Sequence, residues 1–312
     1  FNKKDKIFIC GHQGLVGSAI YEKLKKNGYK NIITESKKKL DLRNQQKVEK
    51  FFSNNEINAL IIAAARVGGI NDNNKNKIDY LYDNTMIAFN LIKTAYNNNI
   101  KKIIFLGSSC IYPRNCKQPI KEEYLLTSPL EPTNDAYAIA KIAAIKLCHY
   151  FNENKKTSYR CLMPTNIYGL NDNFDPNLGH VIPSLITKFK NAKINNSEVV
   201  IWGNGKPKRE FLHVNDLAEA VKFIMEISHI NFTKNSYSSY FNVGSNEEIS
   251  IKLLVNILKK IFNHDFKIRY DSSMPNGMLR KKLNSNRLNK LGWISKIKLK
   301  KGLLDIVQSL IN

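Results

Sequence analysis

The chain has no long apolar run. None of the hydrophobic stretches in its 312 residues approaches the roughly 18 residues that a membrane-crossing helix needs. Its start, "FNKKDKIFICG", reaches a strand almost at once and carries no signal-peptide core. It also carries no initiator Met, so an upstream piece is expected to be missing. Cysteine is scarce: five residues, Cys10, Cys110, Cys116, Cys148 and Cys161. The count is odd, and no C-x-x-C or Cys/His spacing suits a metal, so no metal is expected. Free thiols in a reducing cytoplasm are the expectation. Negative charge is scarce too: 26 acidic residues stand against 49 basic ones, a net charge of +23. Such a balance suits a nucleic-acid binder, but the lysines are spread along the chain in Asn/Lys clusters with no nucleic-acid motif among them. A positive field that speeds the arrival of a small anionic substrate fits better, and neither nucleic acid nor membrane is expected as a partner.

What is present is an alternation of apolar runs and amphipathic stretches. "KIFIC", "NIIT", "NALIIAAA" and "KKIIFLGSS" are short and β-branched, and "SYRCLMPTNIYG" reads as a further strand leading into a turn. Between them lie helical patterns: "LVGSAIYEKLKKNG" ending at Gly28, "QQKVEKFFSNN", "DYLYDNTMIAFNLIKTAYNNN" and "AYAIAKIAAIKLCHYFNEN". Strands in such a β-α-β series are buried on both faces and therefore continuously apolar. The expected fold is α/β: a Rossmann-type doubly wound parallel sheet with a smaller C-terminal α+β substrate-binding part. Residues 1–165 are assigned to the first unit, with 213–244 returning to it through "YFNVGS". Residues 166–212 and 245–312 form the second.

The stretch "GHQGLVG" places Gly11, Gly14 and Gly17 directly between a strand and a helix. There, glycine lets the backbone approach a pyrophosphate, and the helix N-terminus supplies N–H groups and a positive dipole end. Preference between NAD and NADP stays open at this point. Glu35 argues for a ribose hydroxyl and NAD, whereas Lys37, Lys38 and Lys39 argue for a 2′-phosphate. In "YAIAK", Tyr137 and Lys141 stand four apart, on one helix face. A lysine ammonium beside a phenol lowers its pKa toward acid–base use, although the same pair also occurs on plain surface helices.

With "GSSCIYP" at residues 107–113, these motifs resemble the extended short-chain dehydrogenase/reductases, which pair a glycine loop, a strand-end serine and Y-x-x-x-K. The wider stretches "LGSSCIYPRNCKQPI", "EPTNDAYAIAKIAAIKLC", "MPTNIYG", "NFDPNLGHVIP" and "WGNGKPKREFLHVND" resemble the members that epimerise and reduce GDP-4-keto-6-deoxy-D-mannose. That resemblance runs nearly the whole chain, from about residue 6 to 293. It implies that Ser108, four residues before Tyr112, hydrogen-bonds the substrate oxygen that Tyr137 protonates, with Lys141 beside them. It implies that Cys110 acts as base and His180 as acid at sugar carbons C3 and C5, and that NADP(H) delivers hydride to C4. The cofactor contacts implied by the resemblance are Gly11, His12, Gln13, Gly14, Leu15, Val16, Gly17, Lys37, Asp41, Leu42, Leu106, Gly107, Ser108, Tyr137, Lys141, Pro164, Asn166, Ile167 and His180. Those to the nucleotide sugar are Ser108, Lys188, Trp202, Arg209, Asn276 and Lys281, with Lys188 and Asn276 departing from the usual residues. A homodimer through the Tyr137 helix and the long helix before it is expected. The alternatives are a 4-epimerase or 4,6-dehydratase of another nucleotide sugar, or a non-catalytic binder of a dinucleotide or nucleic acid. Cys116, Cys148 and Cys161 are assigned no role beyond structure.

Overall fold

The computed structural model describes residues 1–176, 179–274 and 277–311. Six strands form one parallel sheet: β1 (Ile7–Cys10), β2 (Ile32–Ile33), β3 (Ala59–Ile62), β4 (Lys102–Leu106), β5 (Ser158–Pro164) and β9 (Tyr240–Val243). Their order is β2-β1-β3-β4-β5-β9, with parallel register throughout. β1, β3 and β9 are buried at every position, because helices cover both faces and no side of the strand meets water. One face carries α2 (Gln45–Ser53), α4 (Lys77–Asn97) and α5 (Asp135–Lys155); the other carries α1 (Leu15–Lys26) and α7 (Val214–Glu226). A short helix, α3 (Ile70–Lys75), precedes α4.

Helix α1 stops where Gly28 takes a left-handed φ of +83°, the position a helix reserves for glycine just past its end. Lys23, Lys25 and Lys26 in its last turn complement the negative end of the dipole. The run "SYRCLMPTNIYG" is not one strand, as expected, but two. The chain breaks at Thr165, whose N–H donates to Val243 O while its hydroxyl donates to Glu210 O. Beyond the break, β6 (Asn166–Tyr168) pairs with β8 (Lys208–His213) in a second sheet, with β10 (Glu248–Ser250) and β12 (Arg280–Lys281). β7 (Val199–Trp202) pairs with β11 (Ile268–Asp271) in a third. Around these sheets α6 (Val181–Asn195), α9 (Ile251–Phe262) and α11 (Leu299–Ile311) build a separate apolar cluster. Helices α8 (His229–Asn235) and α10 (Asn286–Lys290) pack beside β9. The switch at Thr165 opens a cleft between the carboxyl ends of the parallel strands and the second sheet, where open α/β sheets bind their ligands.

Candidate active site

The cleft encloses about 820 Å³, within the range of small-molecule sites. Four helices begin on its wall with no side-chain cap: α1 after Gly14, α3 after Gly69, α5 after Asn134 and α6 after His180. Their first N–H groups are therefore left for something other than the chain's own cap residues.

At the first of these, Gly11 has φ +83°, and a Cβ there would lie 2.8 Å from Ala64 backbone. A Cβ on Gly17 would stand 2.0 Å from Gly11 O. The loop thus exists only with glycine, and its open N–H groups and positive helix end suit a pyrophosphate. Buried polar groups of α4 hold the neighbouring walls. Asn84 donates to Arg66 O and accepts from Arg66 N, and Asn90 donates to Leu42 O and Arg43 O. Arg43 bridges Asp41 and Asp83 and holds the Asp41 carboxyl down at about 2. Glu35 accepts from Ser36 N at 2.7 Å, and both Glu35 and Lys37 line the cleft. The expected cofactor contacts His12, Gln13, Leu15, Val16, Lys37, Asp41, Leu42, Gly107, Pro164, Asn166 and Ile167 all line it. Leu106 lies behind the wall and presents its carbonyl to Lys141.

At the end of β4 the chain makes a single 3-10 turn over Ser109–Ile111, with Ser108 Oγ accepting from Cys110 N at 3.2 Å. Tyr112 anchors this turn: its buried hydroxyl donates to Asn242 Oδ1 of β9 at 2.5 Å. The Ser108 hydroxyl stands close to the phenol of Tyr137, which lies in the first turn of α5. Its ring meets Tyr80 edge-on at 6.3 Å. The expected lowering of Tyr137 by Lys141 is not what the structure gives. Burial, then the neighbouring Cys110 and Tyr80, push the phenol well up, and only Ser108 pulls it down. The Lys141 ammonium is aimed elsewhere, donating to Leu106 O at 2.8 Å and lying 5.6 Å from the Tyr137 ring centre. Burial lowers Lys141 to about 8. Tyr137 is thereby kept protonated, the state that can give a proton to a carbonyl oxygen.

Cys110 faces the same cleft, and Lys281 donates to its sulfur at 3.4 Å. His180, at the start of α6, opens into the cleft but is enclosed by protein on its other sides; that enclosure and then the Lys281 charge hold its imidazole below the ordinary value. Lys188 donates to Val200 O at 3.1 Å and lies 4.8 Å over the Trp202 ring. Arg209 is lowered to about 10 by burial, an effect Glu131 opposes. Asn276 lies outside the described residues. The remaining expected residues, Ser108, Cys110, Tyr137, His180, Lys188, Trp202, Arg209 and Lys281, line one cleft.

Sequence reading missed a set of acceptors. His12 Nδ1, Asn73 Oδ1, Asn134 Oδ1 and Asp172 Oδ2 line the cleft as buried atoms with no hydrogen-bond partner among the described residues. Buried polar atoms are otherwise satisfied almost everywhere in proteins, so these mark where a hydroxyl-rich ligand would bind. The signal available was "EPTND": polar residues just before Tyr137, at a helix start whose cap they do not serve.

A profile described as the NAD dependent epimerase/dehydratase family matches residues 7–238. A putative GDP-L-fucose synthase 2 of Arabidopsis thaliana is 47% identical over 302 residues, 96% of this chain and 90% of that protein. GDP-L-fucose synthase of Escherichia coli is 43% identical over 308 residues, 98% of this chain and 96% of that one. Among solved structures, MlghC, a GDP-mannoheptose C4 reductase from Campylobacter jejuni with NADP bound, superposes with a TM-score of 0.90 at 32% identity. It covers 100% of both chains.

Proposed function

The chain belongs to the NAD dependent epimerase/dehydratase family, and from that premise we propose that it carries out the GDP-L-fucose synthase reaction. It converts GDP-4-dehydro-6-deoxy-D-mannose to GDP-L-fucose by 3,5-epimerisation and NADPH-dependent reduction of the 4-keto group. The observation that carries this reading is a thiol, Cys110, in the same cleft as Ser108, Tyr137 and His180. Plain carbonyl reduction has no use for a thiol. Epimerisation beside a ketone needs a base on one face of the carbon and an acid on the other.

In this reading Cys110 takes the proton from C3 or C5, and the electron pair moves onto the C4 oxygen. Ser108 and Tyr137 hydrogen-bond that oxygen. Protonated His180 returns a proton to the opposite face. NADPH, when held in the cleft, would supply the hydride for C4, and Tyr137 gives the oxygen its proton. Lys188, Trp202 and Arg209 hold the nucleotide sugar, Lys188 as a point charge without the arginine fork. The glycine loop would hold the pyrophosphate of NADP(H), and Lys37, which lines the cleft, would supply a cation for its 2′-phosphate.

The protein is placed in the cytoplasm, in keeping with its five free cysteines. A homodimer accounts for exposed apolar side chains on the outer faces of α4 and α5. Ile78, Tyr82 and Phe89 follow helical spacing on α4, as do Ile139 and Tyr150 on α5.

The test is turnover of GDP-4-keto-6-deoxy-mannose with NADPH in D₂O. Oxidation of the cofactor with deuterium at C3 and C5 is expected, and Cys110→Ser loses most of the deuterium uptake while keeping part of the hydride transfer. No cofactor oxidation, with NADPH or NADH, would overturn the reading in favour of a 4-epimerase or a binder.

A further inference from the structure

Lys281 is a buried lysine, and no carboxylate lies within ion-pair reach of it among the described residues. Its one hydrogen-bond acceptor among them is the sulfur of Cys110, 3.4 Å away and 171 residues distant in sequence. Lys281 lines the cleft beside the thiol, with no counter-charge from the described residues. The fold nevertheless fixes this lysine firmly. Lys281 pairs in register with Arg209 through β12 and β8. The next residues are tied down on both sides: Ile120 N donates to Lys282 O at 2.7 Å, and Asn284 N donates to Ile120 O at 2.7 Å. Lys282 N donates to Gln118 Oε1, and Leu283 N donates to the buried Glu210 carboxylate. The thiol is held as firmly from its own side, through Ser108 and the Tyr112–Asn242 anchor.

We propose that Lys281 is the positioning residue of the thiol chemistry: its ammonium aims the Cys110 sulfur into the cleft and neutralises the negative charge the sulfur carries as a base. This rests on the epimerase reading and assigns Lys281 a partner other than the substrate diphosphate. The step it serves is balanced: the C–H bond breaks, an S–H bond forms, and the electron pair passes to the C4 oxygen. The other groups at the thiol are Tyr137 from α5 and Ser108 from its own loop. None of these brings a negative charge at neutral pH. The Lys281 charge also reaches His180 before α6 and Cys116 beyond the 3-10 turn. One charge held at this point thus stands beside both members of the paired acid and base.

The test reads the sulfur directly. The full chain with NADP⁺ is treated with iodoacetamide between pH 5.5 and 9, and alkylation of Cys110 is followed by peptide mass, with a free cysteine peptide added to the mixture as the reference thiol. Lys281→Met should slow Cys110 alkylation at pH 7 about tenfold and move its pH profile upward, whereas Lys281→Arg should retain most of the rate. Deuterium uptake into the sugar should fall with it, while the KM for the nucleotide sugar changes little. Unchanged alkylation with weakened GDP binding would overturn the proposal and make Lys281 a diphosphate ligand. Unchanged values of both would make it a bystander. Lys281→Gln is measured alongside, so that a folding defect in the Met variant leaves the profile readable. The alkylation needs no sugar, so its outcome stands apart from whether the proposed turnover is found.

Discussion

Asp172 sits in the loop after β6 with one carboxyl oxygen bonded to Asn173 N and the other buried without a partner. Burial raises its carboxyl to about 6. A folded-state pKa above the unfolded one means the protonated form is favoured by folding. That stability is fully present below about pH 4, the unfolded value, and is lost as pH rises through about 6. Asp172→Asn removes the penalty. Its melting temperature should exceed the parent's at pH 7.5 and match it near pH 4, as calorimetry of the two proteins at both values would show. An equal gap at both pH values would rule out the carboxyl as the cause. At this scale the sequence was informative where chemistry is written into one motif: Ser108, Cys110, Tyr137 and Lys141 are legible in two short runs. It was silent on partners. Nothing in "RKK" says that Lys281 meets a thiol 171 residues away, and nothing in "YAIAK" says that Lys141 turns to Leu106 O instead of the phenol.

At the scale of elements, the β-α-β series up to β5 was readable because buried parallel strands must be apolar at every position. A unit boundary at 165 was readable too, but the division of the run into two strands was not, since "SYRCLMPTNIYG" is apolar enough for one long strand. Hydrogen bonds from Thr165 to two different strands, β8 and β9, divide it. The turn bearing Cys110 is likewise an element held from outside. Tyr112→Phe keeps the ring but leaves Asn242 Oδ1 buried without its donor, a loss of about 1–3 kcal/mol. Chemical denaturation should show that loss. Epimerisation, read as deuterium uptake, should fall further than hydride transfer, because the thiol stands on the loosened turn. Equal losses in both steps would mean the anchor serves overall stability alone.

Over the whole molecule, the net charge of +23 sets a positive surface toward an anionic nucleotide sugar, so kcat/KM should fall as salt is raised. The outer faces of α4 and α5 belong to this scale as well. Tyr82 and Ile139 are about half exposed or more, at 61% and 48%. Tyr82→Glu with Ile139→Glu should convert a dimer to a monomer by light scattering while the isolated chain stays folded. A parent that is already monomeric would remove the dimer from the account.

The sheet's sixth strand has a further consequence for the order in which the protein matures. β9 comes from residues 240–243, after the excursion that builds much of the second half, and Asn242 is what Tyr112 holds. Lys281 arrives later still. A ribosome that has released the first five strands has made the whole glycine loop and the Tyr137 helix, yet the thiol turn has neither its anchor nor its cation. The proton chemistry is therefore complete only once Asn242 and Lys281 have both been made and folded back onto the Cys110 turn.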